Sequence, residues 1–233
     1  MRLCVIPARG GSKRIPRKNI KLFHGKPIVA YSIEAAQRSG CFDKIIVSTD
    51  DQEIADVAEE YGAEVPFLRP EELANDHAGT LPVIKHAIEW FEEFESKSSE
   101  VCCLYATAPF LQAGSIKQAY KQLQVTQADY CFSVTSFAFP IQRAIKITQH
   151  QRIEMFYPEH SNTRSQDLEE AYHDAGQFYW GKAEAFKQLK PLFSENASPF
   201  LLPRHLVQDI DTQEDWLRAE MMYQVHKQSG LFE

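Results

Sequence analysis

Short apolar runs that alternate with stretches of helical period constrain this chain more than any other feature. Residues 3–6, 44–49, 64–67, 101–105 and 130–135 are brief, apolar and rich in β-branched or aromatic side chains. Between them, residues 27–39, 52–62, 80–94 and 113–124 carry apolar side chains three and four apart, as in Val83, Ile84, Ala87, Ile88 and Phe91. Gly40 stops the first of these helices, and the acids of residues 50–53 open the second, an N-cap acid with Glu53 three positions on. Strand–helix alternation at this spacing predicts βαβ units and an α/β fold, with a mostly parallel sheet flanked by helices. The alternation weakens over residues 137–174, which are polar and aromatic without a clear period, so that segment reads as an insertion. It resumes with a strand over 177–180, a helix over 182–189, strand-like residues 199–202, an extended 207–211 and a last helix opened by Thr212. Trp216, Ala219, Met222 and Tyr223 share one face of that helix, and core packing accounts for them. At 233 residues the chain fits a single α/β domain, residues 1–233, with that insertion.

The chemistry concentrates where the first strand ends. Residues 6–19 read IPARGGSKRIPRKN, a strand running into Gly10, Gly11 and Ser12 and then into Lys13, Arg14, Arg17 and Lys18. Glycines allow close approach of backbone to an anion and the cations neutralise it, so this is a phosphate loop or else a solvated, charged turn. Eight basic residues and no acid precede Glu34, whereas the remainder holds 17 basic and 32 acidic residues, for a net charge of −7. That asymmetry favours one small, highly charged ligand over nucleic acid, whose binders carry broad basic surfaces. Neither a P-loop nor a G-x-G-x-x-G fingerprint can be laid on the loop. No signal-like segment and no apolar run of membrane-spanning length is present, which reads as a cytoplasmic protein. The five cysteines are odd in number and lack a C-x-x-C, so buried reduced thiols are expected.

Three other groupings can carry chemistry. Asp209 and Asp211 flank Ile210 in an extended segment, which sends both carboxylates to one face, where a cation between them would relieve their repulsion. Mg²⁺ binds in this manner, through one or two carboxylates and phosphate oxygens; otherwise Asp211 is a capping residue and Asp209 a surface acid. His160, Asn162, Thr163, Arg164 and Gln166 cluster in a segment suited to a hydroxylated, carboxylated ligand, with Arg164 as a bidentate partner, or form a polar loop. His173 and Asp174 are adjacent, a pair more often structural than a general base.

Pro7-Ala8-Arg9-Gly10-Gly11-Ser12-Lys13, Pro16, Lys18 and Asn19 together resemble the signature loop of the acylneuraminate cytidylyltransferase family. Residues 47–50 (VSTD), 69–74 (RPEELA) and 209–211 (DID) resemble that family as well and occur in the same order, so the resemblance spans nearly the whole chain. It implies a nucleotide-diphospho-sugar-transferase fold, Rossmann-like, with the insertion serving dimerisation and sugar binding in a homodimer. It implies a reaction in which CTP and a nine-carbon nonulosonic acid give a CMP-sugar and pyrophosphate. By the same resemblance Ala8, Arg9, Gly10, Gly11, Ser12, Lys18 and Asn19 form the nucleotide loop, with Arg9 and Lys18 on the triphosphate. Arg69 and Thr80 are then on the cytidine side, and Asp209 and Asp211 carry Mg²⁺, Asp211 also helping to deprotonate the attacking hydroxyl.

Two departures bear on the sugar. Tyr105 stands where sialic acid synthetases typically carry a Gln, and His173-Asp174-Ala175-Gly176 replaces a common Asn-Gly-Ala. With residues 162–168 (NTRSQDL), these resemble the pseudaminic acid branch, whose sugar lacks the terminal hydroxyl of neuraminic acid. Tyr105, Arg164, Gln166, His173 and Asp174 are the sugar-side residues that follow. Other nonulosonic acids, or a non-catalytic nucleotide-binding regulator on the same fold, are the alternatives.

Overall fold

A computed structural model describes residues 1–75 and 78–230. The elements are β1 (Arg2–Pro7), β2 (Leu22–Phe23), β3 (Lys26–Pro27), α1 (Ile28–Ser39), β4 (Lys44–Ser48), α2 (Gln52–Glu60), α3 (Thr80–Phe94), β5 (Glu100–Leu104), α4 (Ala113–Thr126), β6 (Tyr130–Ser136), β7 (Ile145–Ile147), β8 (Ile153–Met155), β9 (Tyr172–Lys182), α5 (Ala183–Lys187), β10 (Ala197–Leu201) and α6 (Gln213–Ser229). Six strands form one sheet in the order β10-β6-β9-β5-β1-β4. All neighbours are parallel except β9, which runs antiparallel to both β5 and β6.

The near-continuous apolar character of β1 follows from burial on both faces. Cys4 and Ile6 pack with α1, α2 and α4, through residues such as Val29, Ile54 and Ile116. Leu3 and Val5 point the other way, onto Ile84, Ile88 and Phe91 of α3 and Phe186 of α5. A third cluster joins Ile15 and Ile210 to Phe23, Ile28, Tyr31, Phe110, Trp216 and Ala219, so α6 clasps the basic loop and the aspartate segment together. Thr212 and Asp215 close a capping box at the start of α6, fixing where the 207–211 segment ends. All five cysteines are buried and free.

The structure departs from the sequence expectations in four places. Residues 64–67 form no strand and meet β4 only through isolated bridges, Ile46 with Glu64 and Thr49 with Leu68. The strand expected from residue 177 begins at Tyr172, so His173 and Asp174 lie on β9 and not in the insertion. A bulge opposite Phe132 and Val134 and a left-handed Gly176 (φ 62°) divide that strand, which hides its first half from a period-2 reading. The remaining insertion carries the β7–β8 hairpin. Finally, α2 is capped by Asp51, whose side chain accepts from Ile54 N, and Asp50 is free to serve the basic loop. Among the described residues no helix is long and apolar enough to cross a membrane.

Candidate active site

The loop after β1 is held by the end of β4. Ala8 N donates to Ser48 O at 2.9 Å and Gly10 N to Asp50 Oδ1 at 2.9 Å, while Ser12 N closes onto Gly10 O at 2.9 Å. These three amides are thus committed within the protein, which moves the weight of anion binding to side chains. A Cβ on Gly10 would lie 2.8 Å from Asp51 Oδ2 and 3.0 Å from its Cβ, so this glycine is needed for packing. Arg17 adopts a left-handed conformation (φ 56°) and forms ion pairs with Asp51 and Glu53, which ties it to the start of α2. The Arg17 guanidinium in turn holds the Asp51 carboxyl below its ordinary range.

Beyond the carboxyl ends of β1 and β5, where ligands of open α/β sheets bind, lies a cleft of about 360 Å³. Arg9, Lys13, Arg14, Lys18 and Arg69 line it, with Ser12, Asn19, Thr80, Tyr105 and, among the described residues, a single carboxylate, Asp211. Asn19 is buried and donates to Arg9 O at 2.8 Å, bracing the loop. Lys18 Nζ donates to Ile210 O at 2.7 Å and lies 3.5 Å from Asp211 Oδ1, and Arg14 Nη2 is 2.9 Å from Asp211 Oδ2. Arg69 is buried and bonds Ser48 through both its side chain and its carbonyl. Burial, and then the nearby Arg9 cation, push its guanidinium down to about 10 against the opposing pull of Asp50, so it stays charged at neutral pH.

A second cavity of about 530 Å³ is lined by His173, Asp174, Arg204, His205, Gln208, Asp209 and Arg218. The two aspartates therefore do not share one face of an extended segment as the spacing predicts: they line two neighbouring cavities, with Ile210 between them fully buried. Asp209 has its pKa raised, by desolvation first and then by the Asp211 charge, with Lys18 opposing. His173 Nδ1 meets the Asp174 backbone carbonyl at 2.8 Å, not its carboxylate, so the pair is no catalytic dyad. The Asp174 carboxylate instead accepts from Gly176 N at 2.8 Å and from the Tyr179 hydroxyl.

The sequence expectations thus converge at Arg9, Ser12, Lys18, Asn19, Arg69, Thr80, Tyr105 and Asp211, all on one cleft. Ala8, Gly10 and Gly11 shape the loop without lining that cleft. Arg164 and Gln166 line neither cavity, and Arg164 forms its bidentate pair with Asp167 of its own turn, at 2.7 and 3.1 Å. Sequence reasoning passed over Arg204 and His205, although a basic pair four residues upstream of an acidic one was a visible signal. It also passed over Arg14 as the partner of Asp211, and Tyr179, which falls within the strand expected over 177–180.

A cytidylyltransferase family model matches residues 3–229 of the chain. A pseudaminic acid cytidylyltransferase from Campylobacter jejuni subsp. jejuni serotype O:23/36 (strain 81-176) is 48% identical over 228 residues, covering 98% of each chain. The CMP-N,N'-diacetyllegionaminic acid synthase of Legionella pneumophila is 32% identical over 240 residues, covering 97% of this chain and 98% of the relative. In fold, the chain is similar to a CMP:2-keto-3-deoxy-manno-octonic acid synthetase solved with CTP, at a TM-score of 0.70 and 15% identity over 97% of this chain and 99% of that one. With its basic loop, its aspartate segment and a match over nearly its full length, the chain belongs to the cytidylyltransferase family.

Proposed function

We propose that the protein is a pseudaminic acid cytidylyltransferase, joining CTP and that nine-carbon sugar acid to give the CMP-sugar and pyrophosphate. The observation that carries this is the meeting of the basic loop with the 209–211 segment: Lys18 bonds Ile210 and faces Asp211 in a cleft holding five cations. Such a cleft suits a triphosphate. Full-length similarity to relatives named for this activity supports the choice of sugar. Tyr105 supports it too, since an aromatic ring in place of an amide suits a sugar with fewer hydroxyls.

In this reading Arg9, Lys13 and Lys18 hold the β- and γ-phosphates, and Arg69 and Thr80 stand on the nucleoside side. The anomeric hydroxyl attacks the α-phosphorus in line, the P–O bond to pyrophosphate breaks, and the loop cations stabilise the departing charge. We assign the hydroxyl's proton to Asp211. The residues also fit Mg²⁺. Asp209 and Asp211 offer hard oxygen donors from the rims of two neighbouring cavities, and a cation between them would relieve both the burial that first raises the Asp209 pKa and the Asp211 charge that adds to it. Among the described residues no cluster of three or more carboxylate, His or Cys ligands forms, so phosphate oxygens would complete the shell. When bound, Mg²⁺ would neutralise charge on the phosphates.

The insertion supports a homodimer. Ile145, Ile147 and Ile153 occupy one face of the β7–β8 hairpin and are 51%, 71% and 72% exposed. A partner covering that face could bring Arg164 and Gln166 to the sugar. A dependence on CTP supports a cytoplasmic reaction.

The test is pyrophosphate release from CTP with a panel of nonulosonic acids, with and without Mg²⁺. Pseudaminic acid is expected to turn over fastest and only with the metal. Faster turnover of N-acetylneuraminic or legionaminic acid would reassign the sugar, and CTP binding without any pyrophosphate would indicate a regulator.

A further inference from the structure

Arg9 stands between two anchored amides. Ala8 N donates to Ser48 O at 2.9 Å, and Gly10 N donates to Asp50 Oδ1 at 2.9 Å. Asn19 Nδ2 donates to the carbonyl oxygen of Arg9 itself at 2.8 Å. The backbone of Arg9 is thus held on both sides and at its own carbonyl, and its side chain lines the cleft. Ser48 and Asn19, which make two of these anchors, are buried. The third comes from the carboxylate of Asp50, exposed in the turn between β4 and α2.

That third anchor falls where the loop has most freedom to lose. Pairing of β1 with β4 ends at Pro7 and Ser48, and two glycines follow Arg9 directly. Glycine gives up more conformational freedom on ordering than any other residue, so Gly10 and Gly11 would sway without a tether. Gly10 is also drawn close to the turn: a Cβ on it would lie 2.8 Å from Asp51 Oδ2. An acid at residue 50 is otherwise unfavourable. The cleft gathers five cations for an anionic ligand, and a carboxylate behind the loop repels that ligand. Its hydrogen bond to Gly10 accounts for its presence.

We infer that Asp50 is a positioning residue that aims Arg9 at the phosphates of CTP by tethering the Gly10 amide. It acts through Gly10 and Arg9, since Asp50 lines neither cavity. What it supplies is an acceptor oxygen and not its charge. The inference rests on the proposed function for the identity of the ligand.

Asp50→Ala removes the acceptor, whereas Asp50→Asn keeps one and removes the charge, so the two variants separate tether from electrostatics. Each is made in the wild type and in Arg9→Ala. Calorimetry gives Kd for CTP and for inorganic triphosphate, and pyrophosphate release gives kcat and KM for the sugar. Asp50→Ala is expected to weaken both anions about tenfold, the size of one hydrogen bond. Its kcat is expected to fall by about 10- to 100-fold, as with other misplaced binding groups, while the sugar KM stays within about twofold. Asp50→Asn is expected to keep kcat within about twofold of the wild type and to bind both anions as well or tighter. In the Arg9→Ala background, Asp50→Ala is expected to cost no more than about twofold, because the tether then has no cation to aim. An asparagine as damaging as alanine would show that the charge is what matters, and an undiminished loss in Arg9→Ala would place the effect elsewhere; either result overturns the inference. A wild type that binds inorganic triphosphate with this coupling, yet releases no pyrophosphate with any nonulosonic acid, removes the proposed function and leaves the positioning role in place. A wild type that binds neither anion removes both.

Discussion

The ammonium of Lys18 donates to the carbonyl oxygen of Ile210 at 2.7 Å and sits 3.5 Å from the Asp211 carboxylate. This contact joins residues 192 positions apart and brings the cationic loop to the segment that carries both aspartates. Its ammonium is therefore oriented before any phosphate arrives, which lowers the reorganisation needed to stabilise charge in the transition state.

Loss of that cation is expected to cost far more than loss of its exposed neighbour. Lys18→Ala should lower kcat/KM for CTP by about 10²- to 10³-fold, the range for removing a preorganised charge stabiliser. Arg14 has a side chain 64% exposed, so Arg14→Ala should cost about tenfold or less and more of that at low salt. Pyrophosphate release at two ionic strengths separates the two, and equal losses would contradict the ranking.

Gly10 and Gly11 are expected to respond differently to the same substitution. Gly10→Ala forces a Cβ to within 2.8 Å of Asp51 Oδ2, an atom held by Arg17, so the loop or the α2 cap must shift. A loss of roughly 1–3 kcal/mol in unfolding free energy is expected, as for other overpacked sites. A Cβ on Gly11 meets nothing within 4 Å, so Gly11→Ala should leave the urea midpoint unchanged. Any fall in its activity would then report close approach of CTP to that backbone.

This pair also marks how far the chain could be read unaided. The helices at 80–94 and 27–39 and the strand at 130–135 were legible because their apolar spacing matches one period and the core confirms it. The antiparallel sense of β9 was not, since a strand buried on both faces reads alike in either direction. At the site, the loop announced itself through charge, but Arg17 found its acids at Asp51 and Glu53, more than 30 residues on. The link from Tyr179 to Asp174 was equally hidden, because it spans a left-handed Gly176 that breaks the alternation of the strand.

Two histidines make the fold sensitive to mild acid. Burial lowers the pKa of His86, with the Arg69 cation adding to it, and burial then His205 lower that of His226. An unfolded histidine titrates near 6.5, so below that pH the unfolded chain binds protons that the folded chain resists, and stability falls as pH drops. Each group can contribute at most about 1.4 kcal/mol per pH unit in that window. Urea midpoints are expected to be flat from pH 8 to about 7 and to decline below about 6.5. The decline should be shallower in His226→Gln, and an unchanged slope in that variant would remove His226 from the account.

The β7–β8 hairpin presents two chemically distinct faces, and the association of the protein should depend on one of them. Lys146 pairs with Glu154 at 3.0 Å on one side, while Ile145, Ile147 and Ile153 stand exposed on the other. Isolated two-stranded hairpins are marginal in water, so an apolar face on one is stabilised by being covered. Burying Ile147 and Ile153 against a second copy would contribute about 1.5–3 kcal/mol for each side chain. A double Ile147→Asp, Ile153→Asp variant is therefore expected to sediment as a monomer where the wild type sediments as a dimer, with an unchanged circular dichroism spectrum. Arg164 and Gln166 lie in the same insertion and away from their own cleft, so a partner that uses them would lose sugar turnover in this variant while CTP still bound. A wild-type protein that is monomeric at micromolar concentration, or a monomeric variant with full turnover, would show that each cleft is complete within its own chain.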